Sequence, residues 1–154
     1  MIDFWNARYS AAEYAYGTEP NAFFKAQLDQ LTPGRLLLPA EGEGRNAVYA
    51  AKKGWEVVAF DQSEAGQKKA LKLAKETGVS LTYLIKDAMD FDSRTTFDVV
   101  FYGFFHRPPD ALTPLYHHLN TFLNPGGTLL LEGFSKKNLG RGSGGPQNAA
   151  MLFT

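Results

Sequence analysis

Cysteine is absent from this chain of 154 residues, which removes disulfides, thiolate metal ligands and a cysteine nucleophile from consideration. Net charge is absent too, because sixteen basic residues balance sixteen acidic ones. Without a charge excess there is no long-range pull toward nucleic acid or a membrane surface. No apolar run is long enough to span a bilayer, and Met1-Ile2-Asp3-Phe4-Trp5-Asn6 carries neither the basic nor the apolar region of a leader. A cytoplasmic location, with no nucleic-acid or membrane partner, is the expectation. Histidine is scarce: of three residues, His117 and His118 are adjacent, diverge on a helix and cannot form a metal pair, so they read as surface residues. Asp87, Asp90 and Asp92 lack the glycine and closing glutamate of a calcium loop. No metal is expected. Repeats and linkers are missing, so residues 1–154 read as one domain. Its 44% apolar and 21% charged residues are ordinary for a globular protein with a sizeable core.

What is present centres on Arg35 to Ala47. Leu36, Leu37 and Leu38 form a short apolar run suited to a strand covered on both faces. Gly42 and Gly44 then allow a sharp turn and the close approach of a ligand, and Arg45 and Asn46 open a helix whose free N–H groups face the same place. The spacing Gly42-x-Gly44-x-x-Ala47 also fits a dinucleotide fold. Glu41 and Glu43 argue against a pyrophosphate, because two carboxylates there repel phosphate and suit a cationic ligand. S-adenosylmethionine, with a sulfonium, an ammonium and one carboxylate, matches that charge.

Around this turn the pattern alternates strands and helices. Residues 1–20 form an aromatic arm, with Phe4, Trp5, Tyr9, Tyr14 and Tyr16 closed by Gly17 and Pro20 and a short helix near Phe4 to Tyr9 or Ala11 to Tyr14. The arm either packs on the body or acts as a lid over a ligand. A helix follows over residues 21–31 with Asn21 as its cap, and a second runs from Asn46 to Lys53. Strand two, from Trp55 to Phe60, delivers Asp61, nineteen positions after Gly42, where a carboxylate can accept from both hydroxyls of a ribose. Gln62 and Ser63 start the next helix, which ends at Thr77, with Lys68, Lys72 and Lys75 on a solvated face. Strand three, Leu81 to Ile85, leads to Asp87, Ala88 and Met89, placed to meet an adenine amino group, offer an N–H and pack on a ring. Strand four, Phe97 to Tyr102, ends at Phe104, Phe105 and His106. A helix with an apolar stripe spans Asp110 to Leu123. Asn124-Pro125-Gly126-Gly127 then turns into strand five, Thr128 to Phe134, and an irregular tail covers 135–154. Five strands alternating with helices give a doubly wound, Rossmann-like, mostly parallel α/β sheet, with ligands beyond the strands' carboxyl ends.

The run LLLPAEGEGRNAVYAA resembles motif I of class I S-adenosylmethionine-dependent methyltransferases, and is most similar to the tellurite-resistance and thiopurine-methyltransferase-like branch. Leu38 stands where many members carry an acidic residue, and Glu41 takes over that role three positions on. The resemblance reaches to about Phe153 and implies a cofactor site of Glu41, Gly42, Glu43, Gly44, Arg45, Asn46, Asp61, Gln62, Ser63, Asp87, Ala88, Met89 and Phe104. WNARYSAAEYAYGTEPNAF resembles the arm that covers the cofactor in that branch, so Trp5, Tyr9, Tyr16 and Gly17 are candidate lid and substrate residues. The implied reaction is methyl transfer to a small-molecule acceptor, with a soft thiol, selenium or tellurium nucleophile as one class and His106 as the candidate general base. A nicotinamide-dependent oxidoreductase and a non-catalytic S-adenosylmethionine-binding module are the alternatives. Relatives usually continue past Phe153 with a helix and two strands. The chain therefore reads as C-terminally truncated, leaving a strand-five edge that the tail or a second copy in a homodimer would cover.

Overall fold

The computed structural model describes residues 2–138 together with Met151 and Phe153. Five strands form one sheet: β1 (Arg35–Pro39), β2 (Glu56–Asp61), β3 (Thr82–Ile85), β4 (Phe97–Gly103) and β5 (Leu123–Glu132). Their order is β3-β2-β1-β4-β5, and every pairing is parallel. Leu36, Leu37 and Leu38 on β1 are buried, as are Val99 to Tyr102 on β4. Both strands are central and covered on two faces, which is why each reads as a continuous apolar run.

Helices α1 (Ile2–Tyr9), α2 (Ala22–Leu28), α3 (Arg45–Lys52), α4 (Glu64–Thr77) and α5 (Pro109–Asn120) flank the sheet. Two cores result. One joins Phe24 and Leu28 of α2 and Ala47 and Ala50 of α3 to the sheet through Leu36, Leu38 and Phe101. The other packs Leu115 and Leu119 of α5 against Leu37, Val100 and Tyr102. Asn21 caps α2, its side chain accepting from the Phe24 N–H at 2.9 Å, and Ser63 caps α4 through the Gly66 N–H at 3.0 Å.

Three boundaries differ from expectation. Helix α2 stops at Leu28, with Leu31 packed on the core from outside the helix. Helix α5 stops at Asn120, and Leu123 is already in the sheet opposite Phe97. Asn124 to Gly127 is therefore an irregularity inside β5, where the register slips between Phe97 and Val99, and not a turn that precedes the strand. A bulge of this kind lets the strand bend without leaving the sheet. The tail contributes a single parallel bridge, Ser135 to Phe153, and a short 3₁₀ turn at Lys136–Asn138; the rest of the expected irregular segment lies outside the described residues.

Candidate functional site

Strand order reverses between β1 and β4, so the connections leaving those two strands run to opposite sides and leave a crevice at their carboxyl ends. A cavity of about 550 Å³ sits there. β1 contributes Pro39, Ala40 and Glu41, β2 contributes Asp61, and β4 with its following loop contributes Gly103, Phe104, Phe105 and Arg107. Arg45 and Asn46 reach it from the start of α3, Phe134 from beyond β5, and Trp5, Arg8, Tyr9, Tyr16 and Asn21 from the arm and its junction. Ala40 and Phe104 both have φ of 53°. A left-handed backbone at a residue with a Cβ costs on the order of 1–3 kcal/mol and concentrates at functional sites. Here it turns the ends of β1 and β4 outward around the cavity.

Two carboxylates define the charge of the floor. Glu41 accepts from the Ala47 N–H at 2.6 Å through Oε2, closing the first turn of α3. Burial pushes its carboxyl up to about 8, against the opposing pull of the Ala47 and Asn46 N–H groups and the Arg45 charge. Asp61 accepts from the Gly42 N–H at 2.9 Å through Oδ2 and from the Ser63 N–H at 3.1 Å through Oδ1. Burial raises it as well, in spite of those bonds. Each carboxylate oxygen has two acceptor positions, so Asp61 is held rigid and still has capacity toward the cavity. Arg107 lies close enough to Asp61 and Asp87 for their charges to oppose the lowering that burial imposes on it.

Several expected site residues stand elsewhere. Glu43 points away from the cavity: its Oε2 accepts from Lys69 Nζ at 2.5 Å and its Oε1 from the Ala15 N–H at 2.7 Å. It fastens the arm to α4. Gly42 lies beneath the arm, its C=O accepting from the Tyr83 hydroxyl at 2.5 Å, and a Cβ there would fall 2.7 Å from the Tyr9 hydroxyl oxygen. Gly44, at φ 88°, leaves room for α4, since a Cβ would meet the Ala70 Cβ at 2.4 Å. Its freedom serves helix packing and not ligand approach. Ser63 is fully buried, its hydroxyl donating to Asn6 Oδ1 at 2.7 Å, and Gln62 does not line the cavity. Asp87, Ala88 and Met89 also stand outside the lining: Asp87 caps a 3₁₀ turn (Ala88–Asp90) through the Met89 N–H, Ala88 is buried and Met89 is exposed. Gly17 turns the arm at φ 77° without touching the cavity.

Both ring nitrogens of His106, the candidate base, are hydrogen-bonded within the protein. His106 is buried beside the cavity, its Nε2 accepting from the Phe134 N–H at 2.9 Å and its Nδ1 bonded to the Met151 C=O at 2.7 Å. An N–H must face a carbonyl and a lone pair must face an N–H, so the ring is the neutral Nδ1–H tautomer with no nitrogen left for a substrate. It ties the end of β4 to the C-terminal segment. His118, expected at the surface, instead bonds the Phe91 C=O at 2.7 Å. Among the described residues no group of three His, Cys, Asp or Glu is arranged to hold a metal ion, and no helix is long and apolar enough to cross a membrane. Arg8, Asn21, Arg107 and Phe134 were missed because nothing in their local spacing marks them; tertiary return of the arm and of the β4 and β5 loops brings them together.

The fold and site define a doubly wound α/β protein with a small-molecule cleft at its switch point. The sequence from residue 39 to residue 127 matches the model of the methyltransferase domain family, and the chain belongs to that family. No curated protein matches the chain. Among solved structures, one from work on conversion of a disulfide bond into a thioacetal group during echinomycin biosynthesis superposes with a TM-score of 0.75 at 23% identity, covering 88% of this chain and 62% of its own. A methyltransferase from Thiobacillus denitrificans, bound to S-adenosyl-L-homocysteine, gives 0.66 at 20% identity, covering 85% and 55%. TehB from Haemophilus influenzae gives 0.66 at 15%, covering 84% and 44%. At these identities the likeness establishes the fold, and the chain spans between 44% and 62% of the length of these three.

Proposed function

We propose that the cavity binds S-adenosylmethionine and that the chain carries out methyl transfer to a small-molecule acceptor. The observation that carries this reading is the pair of carboxylates, Glu41 and Asp61, on the floor of a cavity at the β1/β4 switch point. Asp61 would take ribose hydroxyls with its unused acceptor positions. Glu41, poorly solvated, gains most from a neighbouring cation and would face the ammonium or sulfonium, while Arg45 beside it suits the amino-acid carboxylate. Asn46 and Phe104 complete that part of the lining, and the rings of Trp5, Tyr9 and Tyr16 would cover it as a lid, giving a dry wall and cation–π faces. The cofactor supplies a methyl group on a positively charged sulfur, and the protein's part is to align, desolvate and balance charge. A nicotinamide cofactor would share the ribose contact at Asp61, but its pyrophosphate brings no cation for Glu41 to face.

Because both nitrogens of His106 are engaged, the acceptor we propose is a soft nucleophile that needs no strong base, a thiol or a selenium or tellurium species. Placement in the tellurite-resistance and thiopurine-methyltransferase-like branch rests on the run Gly42 to Ala47. Calorimetric titration with S-adenosylmethionine and NAD tests the cofactor, and methyl release over a thiol, selenite and tellurite panel tests the acceptor. Tight binding of NAD alone would overturn the reading. A protein that binds S-adenosylmethionine but transfers nothing would be a binding module.

A further inference from the structure

We infer that the methyl acceptor is an organic anion, and that Arg8 is the specificity-determining residue that receives its charge. The inference rests on the cofactor reading above and extends it to the second ligand. Three guanidinium groups, Arg8, Arg45 and Arg107, line the one cavity. Among the described residues none of them has a carboxylate within ion-pair distance; the ion pairs there are made by Lys25, Arg35, Lys69 and Lys72. S-adenosylmethionine brings one carboxylate and two positive charges, so even with Glu41 and Asp61 on the floor the cavity with its three arginines keeps an excess of positive charge. Arg45 sits beside Glu41 and matches the amino-acid head, carboxylate to guanidinium and ammonium to Glu41. Arg107 lies near Asp61 and Asp87 and stacks 4.6 Å from the Phe105 ring, at the ribose end.

Arg8 is left over. It projects from α1 with its guanidinium carbon 5.1 Å from the centre of the Tyr16 ring, and Arg45 approaches the same ring at 5.7 Å. Both cations are drawn to one exposed tyrosine, and once Arg45 has the cofactor's carboxylate, Arg8 has no carboxylate partner among the described residues. Arg8 also shares a helix with Trp5 and Tyr9, whose rings stack at 5.4 Å. Flat apolar surface beside a free guanidinium fits an acceptor with an aromatic or apolar body and a carboxylate-type group, the reacting atom turned toward the sulfonium. Arg8 is exposed, and a neutral acceptor of the same shape would cover its guanidinium without offering it a partner.

The test titrates protein saturated with S-adenosyl-L-homocysteine, by calorimetry, with 2-mercaptobenzoate and 3-mercaptopropionate and with their neutral amides. Anions should bind at least about tenfold more tightly than their amides, the scale of one charge-assisted hydrogen bond. Arg8→Gln, titrated at S-adenosyl-L-homocysteine concentrations that saturate the variant, should erase that preference, and Arg8→Lys should restore most of it. Equal binding of anions and amides, no binding of either, or an anion preference that survives Arg8→Gln would overturn the inference while the cofactor reading stands. Failure of S-adenosyl-L-homocysteine to bind would overturn the cofactor reading itself, and the inference with it.

Discussion

Glu41 is where the burial of one residue shapes the pH response of the whole chain. Its folded carboxyl titrates at about 8, against 4.5 when unperturbed, so the folded state holds that proton more tightly than the unfolded state does. The resulting stabilisation is complete below about 4.5 and is lost as pH rises through about 8. Burial raises Asp61 too, so it acts in the same direction. Between pH 5.5 and 8.5 wild type should lose about 3 kcal/mol more in urea denaturation than Glu41→Gln; parallel pH profiles would show that Glu41 ionises freely in the fold. Asp61→Asn keeps the shape but removes the charge behind the proposed ribose contacts. It should weaken S-adenosyl-L-homocysteine binding roughly 10–100-fold by calorimetry, the worth of a charged hydrogen-bonding group. His106→Ala orphans the Phe134 N–H and the Met151 C=O. It should cost about 1–3 kcal/mol of stability without removing an acid-side limb from the pH–rate profile; loss of such a limb would support His106 as a base.

At the scale of elements, the arm is held to the body by a small number of polar contacts. Glu43 and Lys69 are an ion pair with side chains only 4% and 13% exposed, and Asn6 accepts from the Ser63 hydroxyl one turn away from Arg8 and Tyr9. Removing one partner leaves a buried charge alone, so Lys69→Met should destabilise by about 3–5 kcal/mol. The arm amides from Ile2 to Tyr16 should then exchange faster than the sheet's; unchanged protection there would show that aromatic packing alone docks α1. Sequence spacing could not reveal this latch. Lys69 lies 26 residues from Glu43, and along α4 the regular pattern is the exposed row Lys68, Lys72 and Lys75. The run Leu36 to Leu38, the glycine turn and Asp61 were legible because each is a local pattern with a local consequence. Glu43 looked like a ligand group because the same pattern says nothing about which way a side chain leaves a turn. The end of α5 was blurred because Phe122 and Leu123 continue an apolar stripe that the chain uses first for helix and then for strand.

Across the whole molecule, the β order could be inferred as a class from alternation alone, whereas the closure of the cavity depends on contacts among distant ends of the chain. The outer edge of β5 carries Leu129 and Leu131, 41% and 38% exposed, and among the described residues the only pairing beyond it is the bridge from Ser135 to Phe153. An edge with exposed leucines is a pairing surface, and the homodimer expected from the sequence would use it. Sedimentation should show a monomer–dimer equilibrium that Leu131→Lys shifts to monomer, with slowed amide exchange over residues 129–132 in wild type. A monomer at all concentrations with fast exchange there would exclude that assembly. The central claim is that a buried, proton-holding Glu41, with the Asp61 carboxylate beside it, makes this crevice a site for a cationic sulfur nucleoside. Its most direct measurement is calorimetric titration of S-adenosylmethionine at pH 7 in two buffers of different ionisation enthalpy. Binding should release a fraction of a proton, as the incoming cation draws Glu41 into its ionised form, and Glu41→Gln should abolish that release. No binding of S-adenosylmethionine, or binding of NAD in its place, would contradict the account.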